Sequence, residues 1–135
     1  MREINLAIIH CSDTYKRMDI GVETIREWHV NERGWDDVGY HYIIKRDGTL
    51  ETGRPREVIG AHAKGYNENS LGICLIGGKS DDGKPECNFT EDQFKKLNAL
   101  ISILKDLYSG IEVIGHRDVS SKDCPCFDAK TMYGG

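Results

Sequence analysis

The chain has 135 residues, which is near the commonest size of one folded domain and leaves no room for a second unit. We therefore expect one domain that spans residues 1–135. Its 39% hydrophobic and 30% charged residues are typical of a globular protein and exclude a disordered chain or a membrane protein. The formal net charge of −4 argues against nucleic acid as a partner, because proteins that neutralise phosphates usually carry an excess of Lys and Arg.

The N-terminus and the cysteines indicate where the protein is made. The first apolar run is too short and too interrupted for a signal peptide, and no run approaches the ~20 residues of a membrane span. We therefore expect synthesis in the cytoplasm and no membrane insertion. Five cysteines are an odd number for a chain without an export signal, which argues against a disulfide framework and favours thiol or metal chemistry.

The first third of the chain predicts a strand followed by a helix. The β-branched run at residues 4–9 predicts a buried strand that leads directly into His10. From Val22 to Gly34, apolar residues at close to helical spacing predict a helix, with the glycine as its stop. The apolar positions are Val22, Ile25, Trp28 and Val30.

The middle of the chain predicts a hairpin and a second buried strand. Asp47-Gly48 lies between the strand-like runs 41–45 and 49–53, and an Asp-Gly pair in that position is a strong hairpin signal because Gly tolerates positive φ. Residues 71–76 are uniformly apolar or small, which is typical of a buried strand.

The last third predicts a capped helix, a strand and a final helical turn. Thr90 is placed to cap the helix, whose apolar stripe indicates a face packed on the core. Residues 112–114 predict a short strand that ends at Gly115-His116, and a helical turn is expected from Asp128. The order of elements predicts an α/β fold with a central mixed β-sheet flanked by helices. The stripe consists of Phe94, Leu97, Leu100, Ile101, Leu104 and Leu107.

Two histidines at strand ends and one loop cysteine are candidate zinc ligands. Imidazole nitrogen and thiolate sulfur are preferred by Zn²⁺, and a catalytic site uses three protein ligands with water in the fourth position. His10, His116 and Cys124 can supply such a set. Each is a weak signal alone. A single histidine usually makes ordinary hydrogen bonds, and a single buried cysteine is more often inert core than a ligand.

Seven ordered blocks along most of the chain resemble one known family. They are His10-Cys11-Ser12, Asp37-Val38-Gly39-Tyr40-His41-Tyr42, Lys45-Arg46-Asp47-Gly48-Thr49, His62-Ala63-Lys64-Gly65-Tyr66-Asn67, Gly72-Ile73-Cys74-Leu75-Ile76-Gly77-Gly78, Gly115-His116 and Lys122-Asp123-Cys124-Pro125. Together they resemble the zinc-dependent N-acetylmuramoyl-L-alanine amidases of phage endolysins, which are related to the animal peptidoglycan recognition proteins.

The resemblance implies a set of site residues. One Zn²⁺ ion is expected on the two histidines and Cys124, and Tyr40 and Lys122 are expected to complete the catalytic centre. A polar, glycine-interrupted stretch is expected to form a groove wall that binds the glycan and stem peptide. Its candidate substrate-binding residues are His62, Lys64 and Asn67.

The resemblance also implies an activity and a setting. The expected reaction is hydrolysis of the amide bond between N-acetylmuramic acid and L-alanine in peptidoglycan, by a phage or prophage endolysin that acts as a monomer. Without a signal peptide, the enzyme is expected to reach the cell wall after holin-type release. One of the similar phage amidases also inhibits a viral RNA polymerase. That activity is not predicted for this chain, because the sequence begins almost at its first strand, without the longer N-terminal arm expected for it.

Other functions also fit parts of the sequence. A peptidoglycan-binding module without catalysis is the main rival, and a cysteine hydrolase with Cys124 as nucleophile is a third possibility. If Cys126 or Cys11 were a fourth zinc ligand, the site would be closed and structural. His116-Arg117-Asp118 matches a protein-kinase triplet, but the chain has no glycine-rich phosphate loop and no Asp-Phe-Gly sequence.

Overall fold

The computed structural model of the chain describes residues 2–134. The elements in chain order are β1 (Leu6–Cys11), β2 (Thr14–Tyr15), α1 (Val22–Glu27), β3 (Tyr42–Ile44), β4 (Leu50–Thr52), β5 (Ser70–Leu75), β6 (Gly78–Lys79), α2 (Glu91–Leu107), β7 (Glu112–Gly115) and α3 (Ala129–Tyr133). Within the described residues, no helix is both long and apolar enough to cross a membrane.

Within residues 2–134, five strands form the central sheet in the order β4-β3-β5-β1-β7. The pairs β3 with β5, β5 with β1, and β1 with β7 are parallel, whereas β4 returns antiparallel to β3. The sheet is therefore mixed, and the predicted hairpin forms its edge. A short parallel pair of β2 with β6 was not predicted, because two residues are too few to show a hydrophobic period.

Helix α2 covers one face of the sheet, and its start is fixed by the predicted cap. The Thr90 side chain accepts a hydrogen bond from the Gln93 N–H at 3.0 Å, and the Gln93 side chain accepts one from the Thr90 N–H at 2.9 Å. The buried Gln93 amide also donates to the carbonyls of Ile44 and Ile76, at 3.1 and 2.9 Å. This glutamine therefore ties the first turn of the helix to the ends of two strands.

Most of the predicted stripe on α2 is core. Leu97, Leu100, Ile101 and Leu104 are all at most 5% exposed. The prediction was wrong for Leu107, which is 55% exposed. Leu107 is the last residue of the helix, and the residue after it, Tyr108, packs against the core in its place.

The other face of the sheet packs against α1. The helix begins at Val22 as predicted, but α-helical geometry ends at Glu27 and a π-helical segment, Trp28–Glu32, follows before Gly34 at φ +71°. The expectation for Val30 was wrong, since it is 36% exposed while His29 is buried. His29 lies seven residues after Val22, which is two turns along the same helical face.

Candidate metal centre and catalytic cleft

The three candidate zinc ligands converge at one edge of the sheet. His10 lies near the end of β1, and His116 follows directly after β7. These strands are parallel neighbours, so their carboxyl ends meet at the same edge. Cys124 reaches the same place from the loop after β7, and the three ligand atoms all lie within 4.8 Å of one another.

The protonation of these groups suits a zinc site. Burial lowers the pKa of His10 well below its ordinary value, and burial together with the Lys122 charge lowers the pKa of His116. Both imidazoles are therefore neutral near pH 7, which is the form that binds metals. The Cys124 sulfur accepts a hydrogen bond from the Cys11 backbone N–H at 3.0 Å.

The neighbouring cysteines do not join this group. The cluster of converging donors contains neither Cys11 nor Cys126, and the Cys126 thiol is directed at the Gly78 carbonyl, 3.4 Å away. Burial raises the pKa of Cys126 to about 12, and a hydrogen bond with Cys124 is the main cause of the raised pKa of Cys11. The arrangement therefore favours three ligands and an open fourth position over a closed, structural site.

The ligands lie in a cleft of about 880 Å³. All eight residues that the sequence analysis singled out line this cleft, together with Trp35 and the loop Ser120-Ser121 that leads to Lys122. The eight are His10, Tyr40, His62, Lys64, Asn67, His116, Lys122 and Cys124.

Tyr40 and Lys122 lie beside the three candidate zinc ligands. The Tyr40 ring centroid lies 5.1 Å from that of His10, and burial raises the pKa of Tyr40 well above its usual value, so its hydroxyl keeps its proton. Lys122 is exposed, two residues before Cys124. Its effect on the pKa of both His10 and His116 places its positive charge near the metal site.

The three candidate substrate residues differ in their surroundings. Lys64 is exposed on the cleft wall. The Asn67 Oδ1 accepts hydrogen bonds from the backbone N–H groups of His62 and Ala63, both at 2.9 Å, so this side chain orders its own loop. His62 is directed inward, with its Nδ1 2.9 Å from Nε2 of His10. Burial lowers the pKa of His62 to about 3.

Two contributions to the site were missed in the sequence. His29 lines the cleft, where its ring lies 4.7 Å from Trp35 and 5.6 Å from Tyr40, and its Nδ1 accepts from the Gly39 N–H at 2.8 Å. The sequence contained one signal for this position, because His29 follows Val22 by seven residues and so lies on the same face of the helix. The second missed contribution is the backbone N–H of Cys11, which donates to the Cys124 sulfur. No pattern of side chains in a sequence indicates such a backbone donor.

Comparison with known proteins shows the family. A profile described as N-acetylmuramoyl-L-alanine amidase matches residues 1–127. The endolysin of Klebsiella phage KP32 is 50% identical over 132 residues, which cover 98% of this chain and 87% of that protein.

Two solved structures share the fold. The N-acetylmuramoyl-L-alanine amidase LysC from Clostridium intestinale URNW superimposes with a TM-score of 0.81 and 29% identity, covering 97% of this chain and 82% of that one. Bumblebee PGRP-SA superimposes with a TM-score of 0.82 and 28% identity, covering 100% of this chain and 83% of that one. The chain therefore belongs to the N-acetylmuramoyl-L-alanine amidase family, and its activity is that of a peptidoglycan amidase of the phage endolysin type.

Proposed function

We propose that residues 1–135 form one zinc-dependent amidase domain in which His10, His116 and Cys124 hold a single Zn²⁺ ion. The observation that carries the proposal is the convergence of these three donor atoms, within 4.8 Å of one another, inside a cleft that is large enough for a substrate. Two imidazoles and one thiolate are a donor set that zinc prefers, and three protein ligands leave room for water.

Bound zinc supplies a Lewis acid that activates water near neutral pH and polarises the scissile carbonyl. The chain adds two groups to this chemistry. The Tyr40 hydroxyl, which keeps its proton, donates a hydrogen bond to the carbonyl oxygen as negative charge develops there, and the Lys122 ammonium adds positive charge to the same region. One such donor contributes about 10²–10³-fold in kcat. Among the described residues no glutamate lines the cleft, so a glutamate base has no place in this proposal.

The substrate is the peptidoglycan strand with its stem peptide. Lys64, exposed on the wall, binds a carboxylate of the stem peptide, while Asn67 holds the loop that presents it. Trp35, which also lines the cleft, offers an apolar surface for a sugar ring or a peptide side chain.

We also propose an oligomeric state and a place of action for the enzyme. We infer that the enzyme acts as a monomer, because residues of one chain supply every predicted ligand and catalytic group of the cleft. Its likeness to phage endolysins supports action on the cell wall, with synthesis in the cytoplasm and release to the wall through a holin-type opening. Binding of nucleic acid or of a polymerase is not part of the proposal.

The decisive experiment is digestion of purified peptidoglycan by the protein after chelation and after restoration of zinc. We expect free stem peptides with an L-alanine amino terminus, detected by mass spectrometry, only when zinc is present. Binding without cleavage in both samples would instead support a recognition module. New reducing sugar ends would show cleavage of a different bond, and activity that resists chelation but is lost on thiol alkylation would support a cysteine hydrolase.

A further inference from the structure

Both ring nitrogens of His62 are engaged inside the protein. Its Nε2 lies 3.2 Å from the Ser70 hydroxyl, which in turn lies 2.7 Å from the Tyr66 carbonyl oxygen. Its Nδ1 lies 2.9 Å from Nε2 of His10. Four residues from three segments thus form one continuous chain of hydrogen bonds that ends at a proposed zinc ligand.

The Tyr66 carbonyl at the outer end decides which group donates and which accepts in each of these hydrogen bonds. A carbonyl oxygen only accepts, so the Ser70 hydroxyl donates to Tyr66 and its oxygen accepts from Nε2–H of His62. The neutral His62 ring carries one proton, so its Nδ1 is bare and accepts from Nε2–H of His10. The neutral His10 ring then has a bare Nδ1, which is the nitrogen left to bind a metal.

The His62 ring is held in this position by its packing. A Cβ at Gly72 would lie 2.6 Å from the ring, and a Cβ at Gly60 would lie 2.8 Å from it. The two glycines therefore leave the space that the ring fills. The Asn67 side chain fixes the backbone of His62 from the other side.

We propose that His62 is a positioning residue, which holds His10 in the tautomer and ring orientation that bind zinc, through the chain from Tyr66 and Ser70. This inference rests on the proposed zinc site. It gives His62 a role different from the substrate contact expected from the sequence, because neither ring nitrogen is left to bind a substrate. Partners of this kind on metal-bound histidines typically contribute about 10–100-fold to metal affinity.

The first test compares zinc affinities of His62 variants by competition with a chromophoric chelator. His62→Leu removes the acceptor and is expected to weaken zinc binding about 10–100-fold. His62→Asn places an amide oxygen near the position of Nδ1 and is expected to recover most of that loss. Ser70→Ala, which removes the group that fixes the His62 tautomer, is expected to give a smaller loss in the same direction. Ser121→Ala, on the exposed wall of the same cleft, is the control and should bind zinc as the unchanged protein does.

The second test reads the tautomer directly. ¹⁵N NMR of the zinc-free protein is expected to show His10 protonated at Nε2, and a mixture of tautomers in Ser70→Ala. A His10 protonated at Nδ1 would overturn the proposal, even if His62→Leu failed to fold. So would unchanged zinc affinity in folded His62→Leu, or equal losses in the Leu and Asn variants, which would mean that packing of the ring rather than its acceptor matters. If Cys124→Ser also kept full zinc affinity, the zinc site itself would be misassigned.

Discussion

The face of the sheet under α2 and the face under the cleft are made by alternating residues of the same strands. In β1, Ala7 and Ile9 belong to the core under α2, whereas Ile8 and His10 point to the opposite side. In β5 the residues toward α2 are Leu71, Ile73 and Leu75, and those toward the other side are Gly72 and Cys74. One face is an aliphatic layer closed by α2, whereas the other carries the polar site beside the apolar residues that pack against α1.

The difference lies in what fills the space above each face. On the α2 side, branched side chains from strands and helix interdigitate, which is where burial stabilises the fold most. On the cleft side, Gly72 provides no side chain and His62 occupies the room that this leaves. All five histidines of the chain belong to this second side, where ring contacts link them and Tyr40 lies between His29 and His10. Stability and chemistry are therefore largely separated between the two faces, and substitutions can test that separation.

The largest expected effect is the loss of the metal in Cys124→Ser. Replacement of a thiolate ligand should weaken zinc binding by more than ~100-fold, since loss of an outer partner already costs about 10–100-fold. Amidase activity should be abolished while the α2 face stays folded. Zinc content and the urea denaturation of the zinc-free protein measure the two effects. Cys87→Ser, at an exposed cysteine, is the matched control.

Two substitutions on the cleft side should lower activity without removing the zinc. We expect Tyr40→Phe and Lys122→Ala each to retain zinc but to lower kcat by about 10²–10³-fold, because each removes one group that stabilises developing negative charge. Steady-state kinetics on a soluble muropeptide, alongside zinc content, would check this. Full activity in either variant would remove that residue from the proposed mechanism.

A cavity on the α2 side should lower the stability of the protein without changing its zinc affinity. Leu97→Ala, at a fully buried position, is expected to lower the free energy of unfolding by about 2–5 kcal/mol, with zinc affinity unchanged in the folded protein. Leu107→Ala on the same helix is the control, since Leu107 is 55% exposed and should change stability little. A loss of zinc affinity in Leu97→Ala would contradict the separation of the two faces.

The smallest expected effect is at the start of α2. Thr90→Ala removes the hydroxyl that caps the helix, which should cost ~1 kcal/mol of stability without changing activity below the unfolding transition. Thr90→Ser keeps the hydroxyl and is expected to retain most of the stability. Thermal unfolding of the two variants compares them directly, and equal losses would point to packing of the Thr90 methyl group.

Local patterns in the sequence were sufficient for most elements. The Asp47-Gly48 hairpin, the cap at Thr90 and the buried face of α2 were confirmed, because turn chemistry, capping and helical spacing act between residues close in the chain. The errors, at Val30 and Leu107, came where an apolar residue fell outside the packed face of its helix. Hydrophobicity alone does not show which face finds a partner.

The sequence by itself determined the family, the fold class and the residue types of the site, because the ordered blocks from His10 to Cys124 carry that information. Tertiary structure alone decided how these residues interact. Parallel pairing of β1 with β7 brings His10 to His116 across about a hundred residues of chain, and the Ser70 hydroxyl sets the direction of hydrogen bonding through His62 to His10. Such contacts depend on register and on the space left by Gly72, which involve residues distant in the chain.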